Sequence, residues 1–248
     1  MSGSAFLGGF DPIVAILLLS ASFVGSFITV ALGIGGGALL LAIMASFVSP
    51  VALIPVHGVI QLGSNFFRAA LLIRRAHWVP FGAFAFGSAI GALLGGNLVV
   101  NLPPGLVLIG VGVFVIWSVL TRPPKWLPQA PLITGLISTF LTMFFGASGV
   151  FVANFSKSLN LPREAHVATH AVFMTLQHGL KIVTFGFLGF EFGPWLGFIA
   201  LMIGAGALGT VAGRLVLVRM SDHGFKRALD VVLVLISLRL IWQGLHAL

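Results

Sequence analysis

The sequence has no cysteine and very little charge. Without cysteine there is no disulfide, no thiolate chemistry and no Cys/His metal motif. No metal site or cofactor is expected. Thirteen Lys/Arg and five Asp/Glu make up only 7% of 248 residues, against the ~25% usual in soluble domains. Hydrophobic residues make up 58%. So few charges cannot cover a soluble surface over that much apolar side chain. A cytosolic enzyme, a disordered tail and a nucleic-acid module are excluded, so no nucleic-acid partner is expected. The ten-residue alternations of a β-barrel are missing too. No Lys or Arg precedes Arg68, so the apolar run from Ile13 reads as a membrane helix, not a signal peptide.

What is present are apolar runs of bilayer length. Some 20 helical residues cross a ~30 Å core. Candidate spans are Pro12–Leu32, Pro50–Ile73, Val79–Val100, Pro104–Leu120, Pro128–Phe145, Pro162–Gly186, Gly193–Leu217 and Lys226–His246. Two more stretches, Ala38–Val48 and Val150–Leu159, are too short to cross, and each follows a glycine-rich break. The fold class is all-α, a polytopic transmembrane helical bundle with the lipid bilayer as its main partner. Trp78, Trp117, Trp126, Trp195 and Trp242 fall near span ends, as interfacial anchors do.

The chain repeats itself at an offset of 113 residues. Gly33 falls on Gly146, Gly36 on Gly149, His57 on His170, Asn65 on His178 and Arg68 on Lys181. One inserted residue later, Pro80 meets Pro194 and Gly95 meets Gly209. Residues 1–125 form the first repeat and 126–248 the second, with about five segments each. Loops that are basic in one half are bare in the other. Arg74 and Arg75 follow the first polar helix, and Leu188 to Glu191 follow the second. Asn101 to Pro104 precede the closing helix of the first half, whereas Arg219, Lys226 and Arg227 precede that of the second. The positive-inside rule then makes the repeats inverted, with both termini outside a bacterial inner membrane.

Two features are candidates for a binding site. The first is the pair of glycine breaks, Gly33-Ile34-Gly35-Gly36-Gly37 and Gly146-Ala147-Ser148-Gly149. Each opens a half helix whose free N–H groups and dipole favour an anion near mid-membrane. Tight helix packing is the competing explanation for such glycines. The second is a pair of polar helix faces. His57, Gln61, Asn65 and Arg68 are spaced four, four and three apart; His170, Met174, His178 and Lys181 repeat them, with Thr169, Thr175 and Gln177 nearby. Lipid cannot satisfy such a stripe, so it faces protein or water. His57, Gln61 and His170 are expected near the midplane, and Arg68 and Lys181 nearer opposite mouths. The candidate ligands of a small anion are therefore Gly33, Gly35, Gly36, Gly37, His57, Gln61, Asn65, Arg68, Gly146, Ser148, Gly149, Thr169, His170, His178 and Lys181. Arg239, inside the last span, is a weaker candidate. No carboxylate sits mid-span, so proton coupling, where present, falls to His57, His170 or His178.

Two glycine-rich breaks, each opening a short helix in a two-fold repeated chain of this length, resemble the sulfite exporter TauE/SafE family. Gly33 to Gly37, the turn Arg74-Arg75-Ala76-His77-Trp78 and Ala168-Thr169 carry the resemblance. His57 and His170 depart from it, standing where a small hydroxyl residue is expected. The resemblance implies a secondary transporter, not an enzyme, for sulfite, organosulfonates or related anions. It leaves open a channel, a carrier of small carboxylates and a homo-oligomer. A rhomboid-like protease around Ser148 is the enzyme alternative; its Gly-x-Ser-Gly match is short, and the repeat-mate of Ser148 is Gly35.

Overall fold

A computed structural model describes residues 7–32, 35–99, 102–121, 130–146, 149–216 and 223–248. Among these are ten α-helices and no strand. They are α1 (Pro12–Leu32), α2 (Gly36–Met44), α3 (Pro50–Leu72), α4 (Phe81–Val99) and α5 (Pro104–Leu120). Then follow α6 (Pro131–Phe145), α7 (Gly149–Ser158), α8 (Arg163–Phe187), α9 (Leu196–Val216) and α10 (His223–His246).

Local chemistry sets the helix ends. Proline opens α1, α3, α5 and α6, where its missing N–H costs nothing. Asp11 caps α1 by accepting the Ile13 N–H at 2.8 Å. Gly146 closes α6 in the left-handed region at φ 69°, and its N–H returns to Thr142 O at 3.1 Å. Gly35 turns the chain into α2 at φ 99°. The expected short helices are found, although α2 starts two residues earlier than its apolar run and ends at Met44. Its nine residues span about 13 Å, under half a bilayer core.

Among the described residues, four helical segments are long and apolar enough to cross a membrane: Pro12–Ala31, Pro50–Arg75, Phe81–Leu98 and Gly193–Leu215. Large apolar side chains cover the outside of the bundle, including Ile13, Phe86, Leu93, Leu208 and Leu215. This is a membrane protein, and that surface is solvated by lipid rather than water.

Glycine brings the helices together. A Cβ at Gly87 or Gly91 would collide with Leu132 O or Leu136 O, so α4 lies backbone-to-backbone on α6. Gly209 and Gly213 do the same on α1, at Phe23 O and Phe27 O. In both pairs the contacts advance together, so α4 runs parallel to α6 and α1 to α9. By contrast Gly105 meets Gly244 while Gly112 meets Ser237, so α5 and α10 run antiparallel. The strongest pairings between the two halves are α4 with α6, α1 with α9, α5 with α10 and α3 with α8. Under the 113-residue offset, the first two pairings exchange and the last two map onto themselves.

Candidate functional site

The polar faces of α3 and α8 meet in the centre of the bundle. His57, Ser64, Asn65 and Arg68 on α3 are buried, as are Thr169, His170, Gln177, His178 and Lys181 on α8. Met174 is buried with them. Gln61 is half-buried. The Lys181 stem crosses Gly58, and His170 lies within electrostatic range of Arg68. As α3 advances from Gly58 to Arg68, its neighbour on α8 retreats from Lys181 to His170. The helices are antiparallel, so each His is set beside the cation of the other helix.

Each His also reaches back to a half helix. His57 Nε2 lies 3.1 Å from Gly37 O in the first turn of α2. His170 Nε2 lies 3.3 Å from Gly149 O at the start of α7. His57 Nε2 is also 3.3 Å from Gln61 Nε2. One nitrogen cannot donate to Gly37 O and accept from Gln61 together, so the tautomer selects one partner. Either way Nδ1 of His57 has no partner.

The three glycines at the start of α2 have separate tasks. Gly35 supplies the positive φ. Gly36 lies against α1, where a Cβ would overlap Gly25 O and Thr29 Oγ1. Gly37 admits Gln61, whose Nε2 occupies the place of a Cβ. Gly149 is less crowded, with Met174 Cε at 3.7 Å and His170 Nε2 at 3.9 Å from a Cβ. Gly146 faces apolar Leu41 and Ile54, not the polar centre. Gly33 and Ser148 lie outside the described residues.

Other candidates are placed differently from expectation. Thr169 turns toward the 76–79 turn, where its Oγ1 accepts the His77 N–H at 2.9 Å. Arg239 is exposed on α10. Lys181, expected nearer a mouth, is closed off within the bundle, its side chain 0% exposed. Arg68 lines a cavity at its end of α3, together with Arg214 and Glu164. A larger cavity of about 300 Å³ opens at the other end of α3 and α8, between Pro50, Leu102, Phe185 and Phe190.

Sequence reasoning missed a symmetric pair of braces. Ser26 and Ser64 hydroxyls meet at 2.8 Å, joining α1 to α3. Gln177 Nε2 donates to Thr139 Oγ1 at 2.8 Å and to Ser138 Oγ at 2.5 Å, joining α6 to α8. Thr139 and Gln177 are the offset mates of Ser26 and Ser64. The spacing of Thr134, Ser138 and Thr142 on α6 was the available signal.

The site is cationic and unpaired. Lys181 Nζ, both ring nitrogens of His178 and Arg68 Nε are buried without a hydrogen-bond partner. No Asp or Glu is buried among the described residues. No group of three His, Cys, Asp or Glu there could hold a metal ion. An isolated buried ammonium costs several kcal/mol, so this arrangement suits an anionic ligand. No curated protein and no solved structure matches the chain significantly. The family described as "Sulfite exporter TauE/SafE" matches residues 17–240, nearly the whole length. The chain therefore belongs to the sulfite exporter TauE/SafE family of membrane transporters.

Proposed function

We propose that this protein carries a small sulfur oxyanion, sulfite or an organosulfonate, through the bacterial inner membrane by alternating access. The observation that carries the reading is Lys181: fully buried, without a hydrogen-bond partner, and with no buried carboxylate among the described residues. A transported anion offsets that charge. His178, whose ring centroid lies 6.3 Å from that of His57, supplies a further donor. The N–H groups of the α2 first turn have no intrahelical partner and add a dipole of the right sign. His170 and Arg68 form the offset-related half of the site beside α7.

The inverted repeat is part of the proposal, and helix direction supports it. With α2 a returning half helix, α3, α4 and α5 alternate across the membrane, and α1 runs with α3. A second repeat in the same orientation would set α6 against α4. Their parallel contact favours inversion. Arg75 and Glu164 meet at 3.6 Å, which puts the basic turn after α3 and the start of α8 on one face. Both termini then lie outside.

The pairing also bears on the motion. Each half contributes its first helix to a contact with the fourth helix of the other. The rocking bodies are accordingly α1 with α2 and α9, and α6 with α7 and α4, rather than the two repeats.

Sulfite flux in proteoliposomes tests the function. Lys181→Met and His57→Ala should each abolish saturable uptake. Flux and affinity that stay unchanged in both would place the anion elsewhere.

A further inference from the structure

The cavity at the Arg68 end of α3 brings Arg68 together with two polar residues that the central site does not use, Thr210 and Arg214. It measures about 120 Å³ and is walled by Val30, Arg68, Leu71, Thr210, Arg214 and Glu164 among others. Arg68 and Thr210 are each only 2% exposed. Arg68 spends one terminal nitrogen on Asn65 Oδ1 at 3.1 Å and the other on Ser64 Oγ at 3.5 Å. These bonds fix the guanidinium and leave Nε without a partner. Thr210 Oγ1 is also unpartnered. It does not fold back to its own helix, as Thr175 and Thr184 do. Arg214 lies one turn beyond Thr210 on the same face of α9. Glu164 is on the same wall, but its carboxylate pairs with Arg75.

We infer that this cavity is a second oxyanion site, separate from Lys181 and located at the basic mouth. Arg68, Arg214, Thr210 and Glu164 line a space of about four water volumes, with the unpartnered Arg68 Nε and Thr210 Oγ1 buried in its wall. That room suits an inorganic oxyanion of four or five heavy atoms, such as sulfite or sulfate. The cavity at the other end of the bundle differs. Its walls are apolar apart from Glu191, so it does not concentrate anions. The identity of the ligand rests on the transporter reading above; the place and chemistry of the site do not.

Equilibrium binding of radiolabelled sulfite to the purified full chain, kept anaerobic, tests the inference. The wild type should bind two anions per chain. Thr210→Val keeps the shape and removes one donor, and should weaken one of the two sites about tenfold. Arg214→Gln should weaken the same site and flatten its salt dependence. Lys181→Met should remove the other site only. A single site per chain that Thr210→Val and Arg214→Gln leave unchanged would overturn the inference. Two sites that both survive Lys181→Met, one of them sensitive to Thr210→Val, would support it while removing Lys181 from the central site.

Discussion

Lys181 rests on Gly58. A Cβ at Gly58 would stand 3.0 Å from Lys181 Cδ, tighter than most real contacts. The glycine is the slot through which a long cation from α8 reaches the α3 side of the centre. His57, the residue before that slot, is bound to the first turn of α2. One turn of α3 therefore touches both the stem of the buried lysine and the first turn of the half helix.

Widening residue 58 should displace the ammonium without removing it. Gly58→Ala pushes Cδ by a few tenths of an ångström, and Gly58→Val by more. Sulfite KM should rise in that order while Lys181 remains in place. Dose–response curves in proteoliposomes check this. A Gly58→Val protein with native KM would mean that the Lys181 stem does not set the site.

Lys181→Met keeps the volume and removes the charge. Replacing buried charge with well-packed apolar residues is often neutral or stabilising by ~1–4 kcal/mol. The anion-free variant should therefore melt no lower than the parent, and higher if its charge is strained. It should also lose the rise in Tm that sulfite gives the parent, because ligands stabilise only the state they bind. A variant that melts lower and still responds to sulfite would identify Lys181 as structural.

The two glycine breaks should respond differently to one methyl group. At Gly36 the methyl meets the α1 backbone, which cannot yield cheaply, so Gly36→Ala should cost at least ~1–3 kcal/mol. At Gly149 the nearest atoms are 3.7 and 3.9 Å away, and both end flexible side chains, so Gly149→Ala should be nearly neutral. Thermal melts of the two variants under one condition compare them. Equal losses would mean that the breaks share a role that packing does not explain.

The sequence carried the helix order and the α3–α8 faces for a plain physical reason. His, Asn, Gln, Arg and Lys are costly in lipid, so their spacing reports a protein-facing stripe. The 113-residue offset was legible for the same reason, since it aligns Gly, His and basic residues. The Ser26–Ser64 and Thr139–Gln177 braces were hidden, because a membrane Ser or Thr can satisfy itself on its own helix and so gives no partner away. Thr169 shows the converse. Its place beside His170 suggested a ligand, but its hydroxyl holds the His77 backbone. The complete burial of Lys181 was not legible, because counting from a helix end ignores what packs over it.

The absence of cysteine makes the topology directly testable. Single cysteines replacing Arg75 and Glu191 sit in turns after α3 and α8, which the offset relates and inversion sends to opposite faces. Arg75 pairs with Glu164 at a 3.6 Å exposed contact, worth ~0–1 kcal/mol, so its loss should not disturb folding. In intact cells an impermeant maleimide should label the Glu191→Cys protein and spare the Arg75→Cys protein until the membrane is opened. Labelling of both from the same side would mean parallel repeats. The half helices α2 and α7 would then point the same way, and two dipoles could not converge on one anion from opposite faces.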